Sequence, residues 1–300
     1  MPENSMLIFF EEMIETGHLE KVPETENYLP AGKYYVMPHH AVWKEDSSTT
    51  KCRAVFNASS KTSNGNSLND CILVGPKQQP DLFQILIKLR FFKIALTGDV
   101  TKMYRQLELN SKDRNLHQLY WRSDISKPIE KWRLTRVIYG VSSSSYHAIR
   151  ALSDTADGAP TQLCKNSILE SFYVDDFVGG ANSIAEAKQL YEDITSTLAS
   201  IGMHIRKWAS SSNSVMQEIP VELRENKEIT FYESDQTVKT LGLLWSPETD
   251  TFKYKFAIHA TFPSSPCMLQ ASEHEINAAQ SKRKNSEIFV TFEEDIEKKL

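Results

Sequence analysis

The most informative part of the sequence is SFYVDDFVGG at residues 171–180, where two apolar runs typical of β-strands flank a pair of carboxylates. This pattern predicts a β-hairpin whose two runs are joined at Asp175-Asp176. Upstream, FFKIALTGDV at 91–100 predicts a buried strand that ends at Asp99. If the hairpin and the strand belong to one sheet, Asp99 and Asp175 lie at the same end of neighbouring strands.

The patterns around this stretch predict an α+β fold. From residue 93 the expected order is strand, helix, hairpin, helix, strand, which is compatible with a split β-α-β sheet with its helices on one face. A Ser183–Glu186 capping box begins the second helix, which stops at Gly202. Other expected elements are a helix over 144–155 and strands over 116–121, 132–139, 203–208 and 238–245.

The amino-terminal third predicts a helix over 7–19 and a hairpin whose polar loop is KEDSSTTK at 44–51. Pro80-Asp81 predicts the start of another helix, because proline suits the first helical turn. The last forty residues have no apolar period before Ile288, so weak order is expected there. In the helix after Asp81, the apolar residues form one stripe, which comprises Leu82, Ile85, Leu86 and Leu89.

Composition limits the function classes. The chain has 300 residues, 40% hydrophobic and 24% charged, which predicts a globular protein rather than a disordered one. A formal net charge of −5 argues against a protein that coats nucleic acid. It is compatible with an enzyme that holds a duplex in one local cleft, because the position of the charges matters more than their sum.

The cysteines and the amino terminus indicate a reducing intracellular compartment. The four cysteines are scattered without a C-x-x-C pair, so neither a zinc ribbon nor a disulfide framework is predicted. The start, MPENSMLIFF, lacks a basic region before an apolar core, and no signal peptide is expected. The apolar runs are short and broken by Lys and Arg, so no membrane span is expected.

Three carboxylates offer a metal site. Transfer of a nucleotidyl group needs Mg²⁺ to neutralise phosphates and activate the attacking hydroxyl, and needs little covalent chemistry from the protein. Mg²⁺ prefers carboxylate oxygens and keeps several waters, so two or three Asp side chains suffice. Asp99, Asp175 and Asp176 are the obvious set. An ordinary turn and an ordinary strand-end cap explain the same three residues equally well.

Other candidate residues also have simpler explanations. Tyr104 follows Asp99 closely and could exclude a ribose 2′-OH, although such an aromatic residue more often belongs to the core. Arg53, Lys51 and Lys44 could bind phosphates, but a solvated strand edge explains them as well. No other ligand is spaced to join the adjacent histidines at 39–40, so a metal site there is not favoured.

Taken together, seven segments resemble the reverse transcriptase of the BEL/Pao class of LTR retrotransposons, from about residue 15 to residue 248. Their order and spacing are far more specific than any one of them. The matching segments are YVMPHHAVWK (35–44) with KCRAVFNASSKTSNGNSLNDCILVGP (51–76), LTGDVTKMYRQLEL (96–109, motif A), VIYGVSSSSYHAIRAL (137–152, motif B), FYVDDFVGGANS (172–183, motif C), IGMHIRKWASS (201–211, motif D) and LGLLW (241–245, motif E).

The resemblance implies a right-hand polymerase fold. Fingers would comprise 1–93 with 110–136, and a ferredoxin-like palm would comprise 94–245 without that insertion. Residues 246–300 would be a degenerate, weakly ordered tail in place of a thumb. The implied activity is RNA-directed DNA polymerisation on a primed RNA or DNA template with deoxynucleoside triphosphates. The implied location is a cytoplasmic virus-like particle or the nucleus, with other polyprotein segments as partners and no membrane.

The resemblance also assigns roles to single residues. Asp99, Asp175 and Asp176 would bind two Mg²⁺ ions, which Mn²⁺ could replace. The general acid for the pyrophosphate leaving group would be Lys207, and the sugar gate would be Tyr104. The residues implied to contact the phosphates or the primer end are Arg53, Lys44, Tyr173 and Val174.

The sequence departs from the family in two places. Ser145 stands where motif B usually has proline, and the chain beyond about residue 255 does not resemble a thumb. These departures favour an alternative, a catalytically inactive relic that at most binds nucleic acid. A hydrolase with a carboxylate site is a poorer alternative, because G-x-S-x-G and H-E-x-x-H are absent from the sequence.

Overall fold

A computed structural model describes residues 2–26, 28–30, 32–43, 52–225, 238–240, 243–247, 251–256 and 288–291. The helices are α1 (Pro2–Glu15), α2 (Leu68–Cys71), α3 (Leu82–Arg90), α4 (Ser144–Thr155), α5 (Gln162–Glu170), α6 (Ile184–Ala199) and α7 (Asn213–Met216). The strands are β1 (Leu19–Lys21), β2 (His39–Trp43), β3 (Cys52–Phe56), β4 (Ile94–Val100), β5 (Gln118–Trp121), β6 (Glu130–Leu134), β7 (Phe172–Tyr173), β8 (Asp176–Ala181), β9 (Ile205–Ser210), β10 (Val238–Thr240), β11 (Leu243–Ser246), β12 (Thr251–Phe256) and β13 (Ile288–Thr291). The expected mixture of helices and sheets is confirmed.

A four-stranded antiparallel sheet, the central sheet, has the order β7-β8-β4-β9. Strand β4 is buried along most of its length, which matches the apolar run expected before Asp99. The expected elements from residue 93 occur in the predicted order, and α4 occupies the predicted range 144–155. The sequence did not predict α5, which lies between α4 and the hairpin. The two-residue strand β7 forms one edge of this sheet, and β9 forms the other.

One face of the central sheet carries the largest core cluster. Side chains of β4, β8 and β9 alternate, so Leu96, Phe177 and Trp208 all point into this cluster. Helices α4, α5 and α6 cover them with a stripe of apolar residues. Trp208 is fully buried, and its ring meets the rings of Phe177 and Tyr191 edge to face. Burial of such aromatic surface is a main source of stability for the sheet.

The opposite face of the central sheet is covered as well, which corrects the expectation of helices on one face only. Helix α3 packs Ile85 and Leu89 against Ala95 and Val178, together with Trp245 from β11. Of the predicted apolar stripe, Ile85 and Leu89 are buried, whereas Leu82 and Leu86 are half-buried. The side of the sheet that α3 covers could not be assigned from the sequence. Asp81 begins the helix by accepting a hydrogen bond from the Phe83 backbone N–H at 2.9 Å.

The amino-terminal part contains a second apolar cluster. Helix α1 packs Phe10 and Met13 against the hairpin β2–β3 and the sheet β1-β6-β5. The pairing of β2 with β3 confirms the predicted hairpin, whose loop at 44–51 lies outside the described residues. A capping box at Ser67 and Asp70 begins α2, although only turn residues were predicted in this segment.

The carboxy-terminal strands form a four-stranded antiparallel sheet, β10-β11-β12-β13. The single strand predicted over 238–245 is instead two paired strands, β10 and β11. Strands β12 and β13 lie within 246–300, the range for which weak order was expected, and the other residues of 257–300 lie outside the described residues. In the described ranges, no helix combines the length and the apolarity that crossing a membrane requires.

Candidate active site

The hairpin at 172–181 turns one residue earlier than the sequence suggested. Tyr173 pairs with Asp176, so the two loop residues are Val174 and Asp175, and Asp176 is the first residue of β8. Val174 has a φ of 57°, a conformation that a β-branched side chain rarely adopts. A positive φ at only the first loop residue is typical of the type II′ turn, where glycine is usual. The turn beside the carboxylates is therefore strained.

The structure brings the three predicted aspartates to one end of the central sheet. Asp99 on β4 lies directly opposite Asp176 on β8 in the strand register. The backbone N–H of Val100 donates a 2.8 Å hydrogen bond to the carbonyl of Asp175, which fixes the turn against the end of β4. The neighbouring ends that the sequence predicted for Asp99 and Asp175 are thus confirmed.

Lys207 reaches this group from β9 through an irregularity in the strand. Between Thr97 and Asp99 the register of β4 against β9 shifts by one residue, which is a β-bulge, and Lys207 has a φ of 55°. The Lys207 Nζ atom lies 3.1 Å from Asp99 Oδ2. Gly98 permits this arrangement, because a Cβ at that position would come within 2.9 Å of Ile205 Cδ1. The predicted general acid and a predicted metal ligand therefore form an ion pair.

A fourth carboxylate, Glu225, was not anticipated. Its backbone N–H donates to the carbonyl of Trp208 at 3.0 Å, which holds it beside β9. Burial raises the pKa of the Glu225 carboxyl, and the negative charge of Asp99 raises it further while Lys207 lowers it. Nothing in the local sequence marks Glu225, because it follows a short 3₁₀ turn after α7 in a polar segment. We call Asp99, Asp175, Asp176 and Glu225 the carboxylate cluster.

The carboxylate cluster carries more negative charge than Lys207, which forms an ion pair with Asp99, can balance. Burial raises the pKa of Asp176 to about 7, and repulsion from Asp175 and Asp99 adds to the effect of burial. Burial also raises the pKa of Asp175, with a further contribution from Asp99. Lys207 opposes both shifts without cancelling them. Such raised carboxyl pKa values are typical of sites that do chemistry or bind cations.

The cluster is not a closed protein cage for a metal. Within the described ranges, no three His, Cys, Asp or Glu side chains are arranged to hold one ion together. Mg²⁺ usually takes only one or two carboxylates from the protein and completes its shell with water and substrate phosphates. The donor type, the unbalanced charge and the raised pKa values of this cluster therefore fit such an open site.

Tyr104 lies on a short 3₁₀ turn just after β4 and is half-buried. Its ring packs against the large core cluster, so Tyr104 is in part a core aromatic residue, as the simpler interpretation of the sequence expected. Its hydroxyl lies 3.0 Å from the Oγ atom of Ser145, which stands at the start of α4. The residue that replaces the motif B proline therefore contacts the predicted sugar gate.

The remaining predicted residues are more dispersed. Tyr173 is half-buried and packs against the α3 cluster beneath the sheet. Arg53 is exposed on β3, where it pairs with Val42. Among the described residues, no hydrogen bond or ion pair joins Arg53 to the carboxylate cluster. Lys44 lies outside the described residues.

Comparisons with known proteins bear on the fold. No protein-family model and no curated protein matches this sequence. Foamy viral protease-reverse transcriptase in complex with an RNA/DNA hybrid is 16% identical with a TM-score of 0.55, over 82% of this chain and 26% of that one. The form designated dRH, in complex with double-stranded DNA, is also 16% identical with a TM-score of 0.55. That match covers 81% of this chain and 34% of that one. Native prototype foamy virus protease-reverse transcriptase is 18% identical with a TM-score of 0.52, and the match covers 69% of this chain and 24% of that one.

These likenesses define a class by fold. The chain has a reverse-transcriptase-like fold, shared with solved structures at an identity too low to carry function across. It spans about a quarter to a third of the length of those solved proteins.

Proposed function

We propose that this chain is the fingers and palm of an RNA-directed DNA polymerase of the BEL/Pao type. The observation that carries the proposal is the carboxylate cluster, because its unbalanced negative charge lies at one end of the central sheet in a reverse-transcriptase-like fold. The fingers would be 1–93 with 110–136, and the palm would be the rest of 94–245. The substrates would be deoxynucleoside triphosphates and a primer annealed to an RNA or DNA template.

Asp99 and Asp175 would bind Mg²⁺ or Mn²⁺ directly, and Asp176 would complete the negative field around them. When bound, these ions neutralise the triphosphate and lower the pKa of the primer 3′-hydroxyl. The protein contributes position, because the hydrogen bond from Val100 to Asp175 and the pairing of Asp99 with Asp176 hold the carboxylates before substrate arrives.

Lys207 would protonate the pyrophosphate leaving group. Its ammonium group is held on the bulge of β9 at 3.1 Å from Asp99, so a proton donor stands at the edge of the carboxylate cluster. From this position the ammonium group would donate its proton to the leaving phosphate, where a positive donor would stabilise the developing negative charge.

Tyr104 would exclude a ribose 2′-hydroxyl, and its hydrogen bond with Ser145 would hold the ring in place. Arg53, exposed on β3, would contact the triphosphate, as would Lys44 from the loop that follows β2. Tyr173 and Val174 would lie beneath the primer end. Cytoplasmic virus-like particles or the nucleus would be the setting, with other polyprotein segments as partners.

A second candidate is a relic that binds nucleic acid without polymerising it. Ser145 favours this candidate, because a serine in the first turn of α4 restricts the backbone less than the proline that the family usually has there. Both candidates bind nucleic acid, but only the polymerase adds nucleotides to a primer. An assay of nucleotide addition therefore separates them.

Primer extension by the purified chain tests the proposal. With Mg²⁺ or Mn²⁺ at low salt, we expect a few deoxynucleotides to be added per binding event on an RNA template, and Asp175→Asn to remove this activity. If both proteins bind primer–template and neither extends it with either metal, the relic is the correct reading. If the wild-type chain does extend the primer, Tyr104→Ala is compared with Tyr104→Phe, and only Tyr104→Ala, which lacks the ring, should incorporate ribonucleotides.

A further inference from the structure

The loop before α3 places one side chain against the strained turn of the β7–β8 hairpin. The Oε1 atom of Gln79 accepts a 2.9 Å hydrogen bond from the Val174 backbone N–H. The Nε2 atom of the same amide donates a 2.8 Å hydrogen bond to the Phe172 carbonyl. One carboxamide thus bonds to both sides of Tyr173, on the edge strand that leads into the carboxylates.

The amide chemistry suits this position closely. The Val174 N–H needs an acceptor and the Phe172 carbonyl needs a donor. Only one of the two orientations of the Gln79 amide supplies both. The strand β7 lies at the edge of the central sheet, and no further strand among the described residues pairs with its outer side. Gln79 therefore supplies hydrogen bonds that a neighbouring strand would otherwise make.

Gln79 is itself firmly anchored. Pro80 follows it and restricts its backbone to extended conformations. Asp81 then begins α3, which packs Ile85 and Leu89 beneath the sheet. Tyr173 rests on the same apolar cluster as that helix. A rigid path therefore runs from α3, through Gln79, to the backbone of Val174 next to Asp175.

We propose that Gln79 is a positioning residue that holds the strained Val174 turn and thereby fixes the Asp175 carboxylate; this inference rests on the proposed function. The φ of 57° at Val174 is unfavourable for valine and needs support from its surroundings. The amide of Gln79 supplies that support on the side away from β8. Loss of these two bonds lets the turn relax and moves Asp175, while the groups that bind nucleotide elsewhere are untouched.

The test replaces Gln79 with methionine, which has similar length and no hydrogen-bonding amide. Gln78→Met is the matched control, because the Gln78 side-chain oxygen is buried and, among the described residues, has no hydrogen-bond partner. The first readout is hydrogen exchange of the Val174 amide, which needs no activity. We expect exchange about five- to tenfold faster in Gln79→Met than in Gln78→Met, since one hydrogen bond protects that amide.

The second readout is primer extension. We expect kcat to fall roughly ten- to a hundredfold in Gln79→Met with little change in KM for the nucleotide, because misplacement of a reacting group affects the chemical step most. Unchanged Val174 exchange, or faster exchange with unchanged kcat, overturns the proposal. Gln79→Ala repeats both readouts should the methionine variant not fold. If the wild-type chain never extends a primer, the proposed function fails, whereas the exchange readout still tests whether Gln79 holds the turn.

Discussion

Two groups of charged side chains in this molecule differ in how their charges are balanced. In the arginine network, formed by Arg114, Arg133, Glu20, Glu26 and Glu108, each arginine bonds to two glutamates. In the carboxylate cluster, Lys207 is the one cation that forms an ion pair with an acidic group among the described residues, and its partner is Asp99.

The pKa shifts of Glu26 in the arginine network and Asp176 in the carboxylate cluster run in opposite directions. Hydrogen bonds from Asn115 and Arg133 hold the pKa of Glu26 below its usual value. Burial and mutual repulsion instead raise the pKa of Asp176 to about 7. The arginine network, whose charges are paired, contributes to the stability of the fold. The carboxylate cluster, whose negative charges are not fully paired, is suited to binding a positively charged ligand.

The largest expected effect comes from neutralising one carboxylate of the cluster. We expect Asp99→Asn to lower the rate of primer extension by roughly a thousandfold or more, because the charge that binds the ion and positions the hydroxyl is lost. Single-turnover extension with Mg²⁺ measures it. Glu108→Gln in the arginine network is the control and should extend primers at the wild-type rate. Equal loss in both variants would contradict the distinction between the two groups.

The next effect should come from breaking the balanced network. Arg133 is largely buried and bonds to both Glu20 and Glu26. We expect Arg133→Met to lower the free energy of unfolding by about 2 kcal/mol, because each of two partly buried carboxylates loses one of its partners. Urea unfolding at pH 7 measures this loss. A stability equal to that of the wild type would show that the network contributes nothing to the fold.

A smaller effect of opposite sign should follow from Asp176→Asn. The raised pKa means that the folded protein holds the Asp176 proton more tightly than the unfolded chain does. The contribution of Asp176 to stability is therefore greatest below its ordinary pKa of 3.8 and is lost as pH rises through about 7. We therefore expect Asp176→Asn to stabilise the metal-free protein at pH 8 by about 1–2 kcal/mol, after allowance for solvent screening, and to do little near pH 4.

Glu26→Gln supplies the contrast for that measurement. Since the pKa of Glu26 is lowered on folding, its contribution to stability is present above its ordinary value of 4.5 and is lost as pH falls through the folded value. Its replacement should destabilise the protein at pH 8 by less than about 1 kcal/mol. Urea unfolding at pH 4 and pH 8 measures both variants, and shifts of the same sign would contradict the comparison.

Local patterns were sufficient for much of the fold. The stripe Leu82, Ile85, Leu86 and Leu89 predicted α3, and the range 144–155 predicted α4 as observed. The path of the loop before α3 determines which face of the sheet this helix covers. The apolar period of the helix itself carries no information about that path. The turn was misplaced by one residue because a sequence with Asp-Asp favours those residues for the loop, whereas the pairing of Tyr173 with Asp176 puts Val174 there instead.

The site was predicted only where its residues lie on strands with a clear pattern. Asp99, Asp175 and Asp176 follow apolar runs, so their meeting could be inferred from sheet geometry. Glu225 and Gln79 reach the site from irregular segments, and their partners are distant in the chain. Contacts of this kind depend on tertiary packing, which leaves no periodic signal in the residues themselves.

Binding of Mn²⁺, followed by electron paramagnetic resonance, tests most directly whether the carboxylate cluster is a cation site. The wild-type chain, Asp175→Asn and Glu20→Gln are each titrated in the presence of a dideoxy-terminated primer–template and the matching deoxynucleotide. We expect the wild type and Glu20→Gln to bind Mn²⁺ equally, and Asp175→Asn to bind it at least about tenfold more weakly, because a direct ligand is lost. Equal binding by all three proteins would contradict the account.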